Sequence, residues 1–319
     1  MSVIAILSSP SSFKNSDEMD RLRQVISSGS GIVHYEVEKH RHIGEALATF
    51  KKTGAEAIII IGGQALAAAT FEFLIEKDPF EGEMPPLAIL PAGDNNIIAE
   101  SMGAQSASPH RELARLLKRR KSGRLLENTL TCPLLKVEGV YGVGTVYGLY
   151  FCCGEVTRSK NVFAGNFSGA SILGRAKRRL STMGFIRRAS LRAMKDKGMD
   201  SAVRVNLNQR GAVVGRYFMI CITSLQKVLM GASLPGPADP DKLRYLSIEN
   251  TSDALLATGR QLLKGRFEDR IIPGQVIRKI AHARIVQHKP FVLDGSFFEA
   301  EQSGELLISS TVRLSFLML

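Results

Sequence analysis

The chain contains no tryptophan and only four cysteines among its 319 residues. Cys132, Cys152, Cys153 and Cys221 form no Cys-x-x-Cys pair and all lie in apolar surroundings. That excludes a disulfide framework and a zinc ribbon, and it reads as free, buried thiols in a reducing compartment. The six histidines supply no metal signature: His40 and His42 stand two apart with no cysteine or acidic cluster to complete a set. No stretch approaches the roughly 20 apolar residues that span a bilayer. The apolar run Val3 to Leu7 is too short for a signal h-region and has no basic segment before it, so it reads as a first buried strand. Aromatic residues are sparse, at 7%. They gather into no stacking platform, which puts a nucleic-acid-binding role behind the other readings. Acids are also short: 30 Asp and Glu against 42 Lys and Arg leave a net charge of +12. Such a surplus attracts polyanions, whether nucleic acid, anionic membrane or phosphorylated ligands, without choosing among them.

The remaining composition, 45% hydrophobic and 23% charged, is that of a globular chain long enough for two domains. Up to about residue 124, apolar runs alternate with helical spacing. Val3–Leu7, Ile32–Val37, Ala57–Ile61 and Leu87–Leu90 read as strands. Asp17–Ser27, Ile43–Lys52, Ala65–Lys77, a turn or two over Asn95–Met102 and the basic Arg111–Lys121 read as helices. This order predicts a doubly wound α/β domain over 1–124. After Gly123 the texture changes to short strands and glycine turns: Leu134–Val137, Tyr141–Tyr150, Val203–Leu207, Ala212–Ile222, Tyr245–Ile248, Arg284–Gln287, Phe291–Leu293, Leu306–Ile308 and Val312–Phe316. Helical inserts are expected near Gly169–Lys197 and Ser252–Leu263. The prediction for 125–319 is a mostly β sandwich whose last strands return to the first domain.

Two glycine-bearing loops follow predicted parallel strands. Ile58–Ile61 leads into Gly62-Gly63-Gln64 and an alanine-rich helix; Leu87–Leu90 leads into Pro91-Ala92-Gly93-Asp94-Asn95-Asn96. Glycine lets a phosphate approach the backbone, and the first N–H groups of a helix point at whatever sits in the turn. Ligands of open α/β sheets bind at the strands' carboxyl ends, so both loops can face one pocket. The plain readings stay beside these. Gly62-Gly63 also fits a connecting turn, Asn96 a helix cap, Asp294-Gly295 a hairpin turn, and Asp241 a solvated loop acid.

In these runs the chain resembles the diacylglycerol kinase catalytic family, which includes bacterial lipid kinases and sphingosine and ceramide kinases. Gly62-Gly63-Gln64-Ala65-Leu66 resembles that family's Gly-Gly-Asp-Gly-Thr. Pro91 to Ala99 resembles its Pro-x-Gly-Thr-x-Asn-Asp-hydrophobic-Ala. Asp294-Gly295-Ser296 resembles its Asp-Gly-Glu, and Pro235 and Asp241 hold places like its proline and its Asp-Gly-x-Leu. The resemblance runs through the chain in matching order. It implies an α/β domain of the NAD kinase/diacylglycerol kinase-like type, a β domain behind it, and ATP-dependent phosphorylation of a lipid hydroxyl, of diacylglycerol or sphingoid type, with Mg²⁺. It casts Gly62, Gly63, Gln64, Pro91, Gly93 and Asn96 as nucleotide-binding, Asp294 and Ser296 as the catalytic positions, and Asp241 as a metal ligand.

The departures from the family pattern set the functional expectation. Gln64 stands in place of an aspartate, and an amide holds Mg²⁺ far less well than a carboxylate. Leu66 removes a hydroxyl, and Ala65 adds a Cβ beside the expected phosphate. Asp94 adds a charge that repels phosphate, and Ile97 replaces an aspartate. Ser296 replaces the glutamate cast as general base, a role serine cannot fill without a base of its own. The pattern predicts a retained scaffold with phosphotransfer weakened or gone. Three readings follow: a lipid kinase with an unusual site, a non-catalytic pseudokinase that binds nucleotide or anionic lipid, and, behind both, a basic nucleic-acid-binding protein. The segment 175–197, dense in arginine and lysine with apolar residues interleaved, suits an anionic membrane surface or a solvated helical face. The location expected is cytoplasmic, with reversible membrane contact.

Overall fold

The computed structural model describes residues 3–13, 15–39, 41–92, 97–158, 184–193, 202–228, 231–237 and 239–319. The chain divides into two units, Met1–Cys132 with Val312–Leu319, and Pro133–Thr311.

The first unit is the doubly wound α/β domain. Its elements are β1 (Val3–Ser8), α1 (Ser16–Ser27), β2 (Ile32–Glu36), α2 (His42–Lys52), β3 (Ala55–Ile61), α3 (Gln64–Lys77), β4 (Leu87–Leu90), α4 (Ile97–Ser101) and α5 (Pro109–Lys121). The strands run parallel in the order β2-β1-β3-β4. The continuous apolar runs of β1, β3 and β4 are buried almost throughout because helices cover both faces. Apolar positions at helical spacing turn Met19 and Leu22 of α1, and Leu113 and Leu116 of α5, into the core with Ile4, Ile6, Ile59 and Leu90. Asn15 caps α1, its Oδ1 accepting the Glu18 N–H at 3.0 Å. The chain's last strand, β15 (Glu305–Leu317), sets Phe316 parallel to Leu87 of β4. The Phe316 ring meets Phe71 edge-on, with centroids 6.2 Å apart.

The second unit is mostly β. It holds β6 (Gly144–Gly148), β7 (Tyr150–Cys153), β8 (Ala202–Leu207), β9 (Ala212–Thr223), β10 (Leu243–Glu249), β11 (Gln275–Ile280), β12 (His282–Val286), β13 (Phe291–Leu293) and β14 (Ser296–Phe298), after β5 (Thr129–Val140). A short helix, α6 (184–193), and α7 (Ser252–Lys264) lie among them. The long strand β9 joins two antiparallel groups. Its first half, Ala212–Arg216, pairs with β8, while Met219–Thr223 pairs with β10 and Ile220–Thr223 with β7. Between them lies a core that includes Val203, Val205, Ile220, Ile222, Tyr245, Ile280, Ile285, Phe291 and Leu306.

Three departures from the sequence pattern have local causes. The run Tyr141–Tyr150 is two strands, interrupted at Leu149, whose N–H is given to the Asp294 carboxylate. The two short strands expected at the C-terminus are one, β15, because Ser309, Ser310 and Thr311 keep extended backbone through the change of unit. β11 escapes the pattern because its sole partner among the described residues is β10, and an edge strand carrying Arg278 and Lys279 lacks an apolar run. All four cysteines are buried and none is joined in a disulfide. Of the expected insert Gly169–Lys197, only 184–193 falls among the described residues.

Candidate functional site

In the first unit the order β2-β1-β3-β4 reverses direction between β1 and β3. That is the topological switch point where an open α/β sheet leaves a crevice. Two loops leave the carboxyl ends of these neighbouring strands. After β1, the residues Pro10–Ser12 make a 3-10 turn. After β3, Gly62 and Gly63 lead into α3, with Gly63 at its N-cap. The loops are joined directly: the Ser12 hydroxyl accepts the Gly63 N–H at 2.9 Å, and the Ser9 N–H reaches the Ile61 carbonyl at 3.1 Å. Leu66 and Ala67 both return their N–H groups to the Gly63 carbonyl. The N–H groups of Gln64 and Ala65 therefore open the 14-residue helix without intrahelical acceptors, as an anion site requires.

Gly62 is needed for space. A Cβ there would lie 2.6 Å from Cδ2 of Leu66. Leu66 itself is 4% exposed and packs inward. The position where the resemblance expects a threonine hydroxyl thus faces the core. Gln64 is partly exposed at the first turn of α3. Pro91 and Ala92 are buried at the end of β4. Gly93, Asp94, Asn95 and Asn96 lie outside the described residues. The Ser8 hydroxyl lies 2.8 Å from His34 Nε2, and burial, ahead of nearby charges, lowers the pKa of that imidazole. The serines Ser9 and Ser12 carry a part of this site that no motif marks. Their signal is only their place after β1, beside a strand 51 residues on.

In the second unit Asp294 and Ser296 stand at the β13–β14 hairpin. Asp294 has φ 52° and Gly295 φ 98°, the pair of positive values that a two-residue hairpin turn demands. The Asp294 carboxylate is buried and fully engaged. Oδ1 accepts the N–H of Leu149 at 3.0 Å and of Tyr150 at 2.8 Å, and Oδ2 lies 3.1 Å from the Leu149 nitrogen. Burial pushes its pKa up to about 7, against the opposing pull of these two N–H donors. Gly148 passes so close that a Cβ on it would sit 2.5 Å from Oδ2. The side chain pins β13 to the start of β7. Ser296 is partly exposed on β14. Asp241 lies on an exposed loop, its N–H bonded to Asp239 Oδ1 at 3.1 Å. Among the described residues no three His, Cys, Asp or Glu side chains gather in a way that would hold a metal ion. The backbone geometry at the crevice is that of an anion site.

Residues 5–125 match the diacylglycerol kinase catalytic domain. The first unit is thus similar in sequence to that domain. No curated protein matches the chain. Three solved structures share the fold over nearly the full length. A putative diacylglycerol kinase from Bacillus anthracis str. Sterne is 14% identical, covering 99% of this chain and 97% of that one, with a TM-score of 0.61. Two further structures from the same organism, a diacylglycerol kinase and a putative one, are 12% and 13% identical with TM-scores of 0.59 and 0.60 and the same coverage. The family match thus spans the Gly62-Gly63 crevice, and the likeness in fold extends through the β unit.

Of the segment 175–197, residues 184–193 are described as α6. Ile186 is buried and approaches Gly259 of α7, where a Cβ would meet its Cγ2 at 3.0 Å. Phe185 packs on Phe218, with ring centroids 5.8 Å apart. Arg187, Arg188, Leu191 and Arg192 face outward. No helix among the described residues is long and apolar enough to cross a membrane.

Proposed function

We propose that this lipid-kinase-like protein binds a nucleotide or another phosphorylated ligand at the β1–β3 crevice, with phosphotransfer weak or absent. The observation that carries the reading is the split at α3. Its free first N–H groups and the Ser12–Gly63 bond keep the backbone of an anion cradle, while Gln64 and the inward-facing Leu66 offer neither carboxylate nor hydroxyl. At the other expected position, the Asp294 carboxylate is spent on two backbone donors and Ser296 brings no base. Binding would use the N–H groups of Gln64 and Ala65 for the phosphate oxygens. The outward arginines of α6 favour reversible contact with an anionic membrane from the cytoplasmic side.

The test is a pair of measurements. ATP or ADP, with and without Mg²⁺, should raise the melting temperature, as any ligand selective for the folded state does. Transfer of labelled phosphate to diacylglycerol, sphingoid base or ceramide should be at background. No shift with any nucleotide or phosphorylated ligand sinks the binding reading. Labelled lipid at kinase-like rates favours the second reading, an ATP-dependent lipid kinase with an unusual site, which the family match over residues 5–125 supports. Gln64→Asp with Ser296→Glu should raise a background rate only as a pair, since metal anchoring and proton removal are both needed.

A further inference from the structure

In the second unit a cleft of about 280 Å³ opens between the inward faces of β8–β9 and β10–β11. The strand registers define those faces. Val205 lies opposite Val213, Tyr245 opposite Arg278, Ser247 opposite Val276, and Tyr217 opposite Glu249. All eight residues line the cleft. Its floor is Val205, Tyr217, Tyr245, Ser247 and Ile280, each at most 8% exposed. Towards the mouth the same inward faces are uncovered: Val213 is 63% exposed and Val276 38%. Apolar side chains on these faces are therefore open to solvent towards the mouth. At the rim stand Arg210 and Arg278, neither forming an ion pair among the described residues, with Lys279 bound to Asp239 and with a single carboxylate, Glu249.

We propose that this cleft is a binding site for a single-chain anionic amphiphile, a fatty-acid carboxylate. Its tail lies along Val205, Leu207, Val213 and Val276, and its head group meets Arg210 and Arg278. The volume falls just below the roughly 300–1,000 Å³ of pockets that enclose a whole ligand, so it suits part of one chain and not a two-chain lipid. A peptide is a poorer occupant. The lining side chains stand on the faces of β8–β11 in register with one another, and a peptide would have to reach past them to the edge of β11 to find backbone partners. A methylene chain needs none. The charges choose the head group: two unpaired guanidiniums against one carboxylate favour an anion, and guanidinium is suited to a carboxylate by its forked donors. The site is separate from the hairpin at Asp294. Tyr217 precedes Thr223 by six residues on β9, and Thr223 is the residue paired with Tyr150, which Asp294 holds. At the rise of a strand that is roughly 20 Å. The inference is independent of nucleotide binding.

The chain has no tryptophan, so Val276→Trp both fills the mouth and reports on it. The experiment titrates the full chain with sodium laurate below its micelle concentration, by calorimetry and tyrosine emission, and repeats this with dodecyltrimethylammonium. Saturable binding of laurate at one per chain is expected. Arg210→Ala with Arg278→Ala should weaken it at least about tenfold, the scale of lost charge-assisted hydrogen bonds. Val276→Trp should abolish it while keeping the parent melting temperature. Absence of saturation, equal affinity for the cationic amphiphile, or unchanged binding in a folded Val276→Trp variant would overturn the proposal. None of these results depends on ATP.

Discussion

Asp294 makes the sharpest prediction, because one carboxylate does three things at once. It accepts two buried backbone N–H groups, from Leu149 and Tyr150, and it occupies a positive-φ position. In Asp294→Ala both donors stay buried without an acceptor. Each costs about 1–3 kcal/mol. The alanine must also hold φ near 52°, where asparagine and aspartate are favoured and other residues pay of order 1 kcal/mol. The sum is about 3–7 kcal/mol, enough to unfold a domain of ordinary stability at moderate denaturant. Asp294→Asn keeps the turn conformation and one acceptor oxygen for both N–H groups, so it should cost far less, about 1–2 kcal/mol. Urea unfolding followed by far-UV dichroism and tyrosine emission measures both. The pH response separates them further. The folded pKa of about 7 stands above the ordinary 3.8, so the folded state binds the proton more tightly than the unfolded one. This group's contribution therefore favours folding fully below about pH 4 and is lost as pH rises through about 7. Asp294→Asn should remove that decline between pH 4 and 7. If Asp294→Ala lies within about 0.5 kcal/mol of the parent, or if Asp294→Asn retains the full pH dependence, the clamp described here is wrong.

The other predictions address neighbouring features. Gly148→Ala places a Cβ 2.5 Å from Asp294 Oδ2 and 2.8 Å from Leu293, so it should destabilise by about 1–3 kcal/mol and lower the melting temperature. Gly62→Ala meets Leu66 at 2.6 Å and should weaken any nucleotide-induced thermal shift together with stability; Gly62→Ala with Leu66→Ala, which relieves the contact, should recover part of the shift. Burial lowers the pKa of His34, so its folded state resists protonation and its contribution to stability falls as pH drops below about 6.5; His34→Gln should flatten that acid limb in denaturation curves. Charge reversal at Arg187, Arg188 and Arg192 should leave stability within about 0.5 kcal/mol, since all three face outward, but should reduce sedimentation with phosphatidylserine vesicles if α6 meets membrane.

What could be read in advance and what could not divides by range along the chain. β1, β3 and β4 are legible because their residues are apolar without alternation, which a covered parallel strand requires and few other settings allow. The helices of the first unit announce themselves by spacing, with Met19 and Leu22, or Leu113 and Leu116, three residues apart on one buried face. The features that decide the candidate sites are non-local. Ser12 meets Gly63 across 51 positions, and Asp294 meets Leu149 across 145. No spacing rule reaches that far, so Asp294-Gly295 fits a hairpin turn while the resemblance casts Asp294, with Ser296, as a catalytic position. The structure accounts for the survival of both residues, the aspartate by its two N–H partners and the glycine by its φ of 98°. Gly62 is likewise held by the Leu66 side chain. Residues that answer to packing and backbone geometry have kept the family's pattern, while Gln64, Leu66 and Ser296, where a phosphoryl transfer would need carboxylate or hydroxyl, have not. The resemblance is therefore strongest where the backbone geometry needs particular residues, and transfer of labelled phosphate to lipid is the measurement that decides activity.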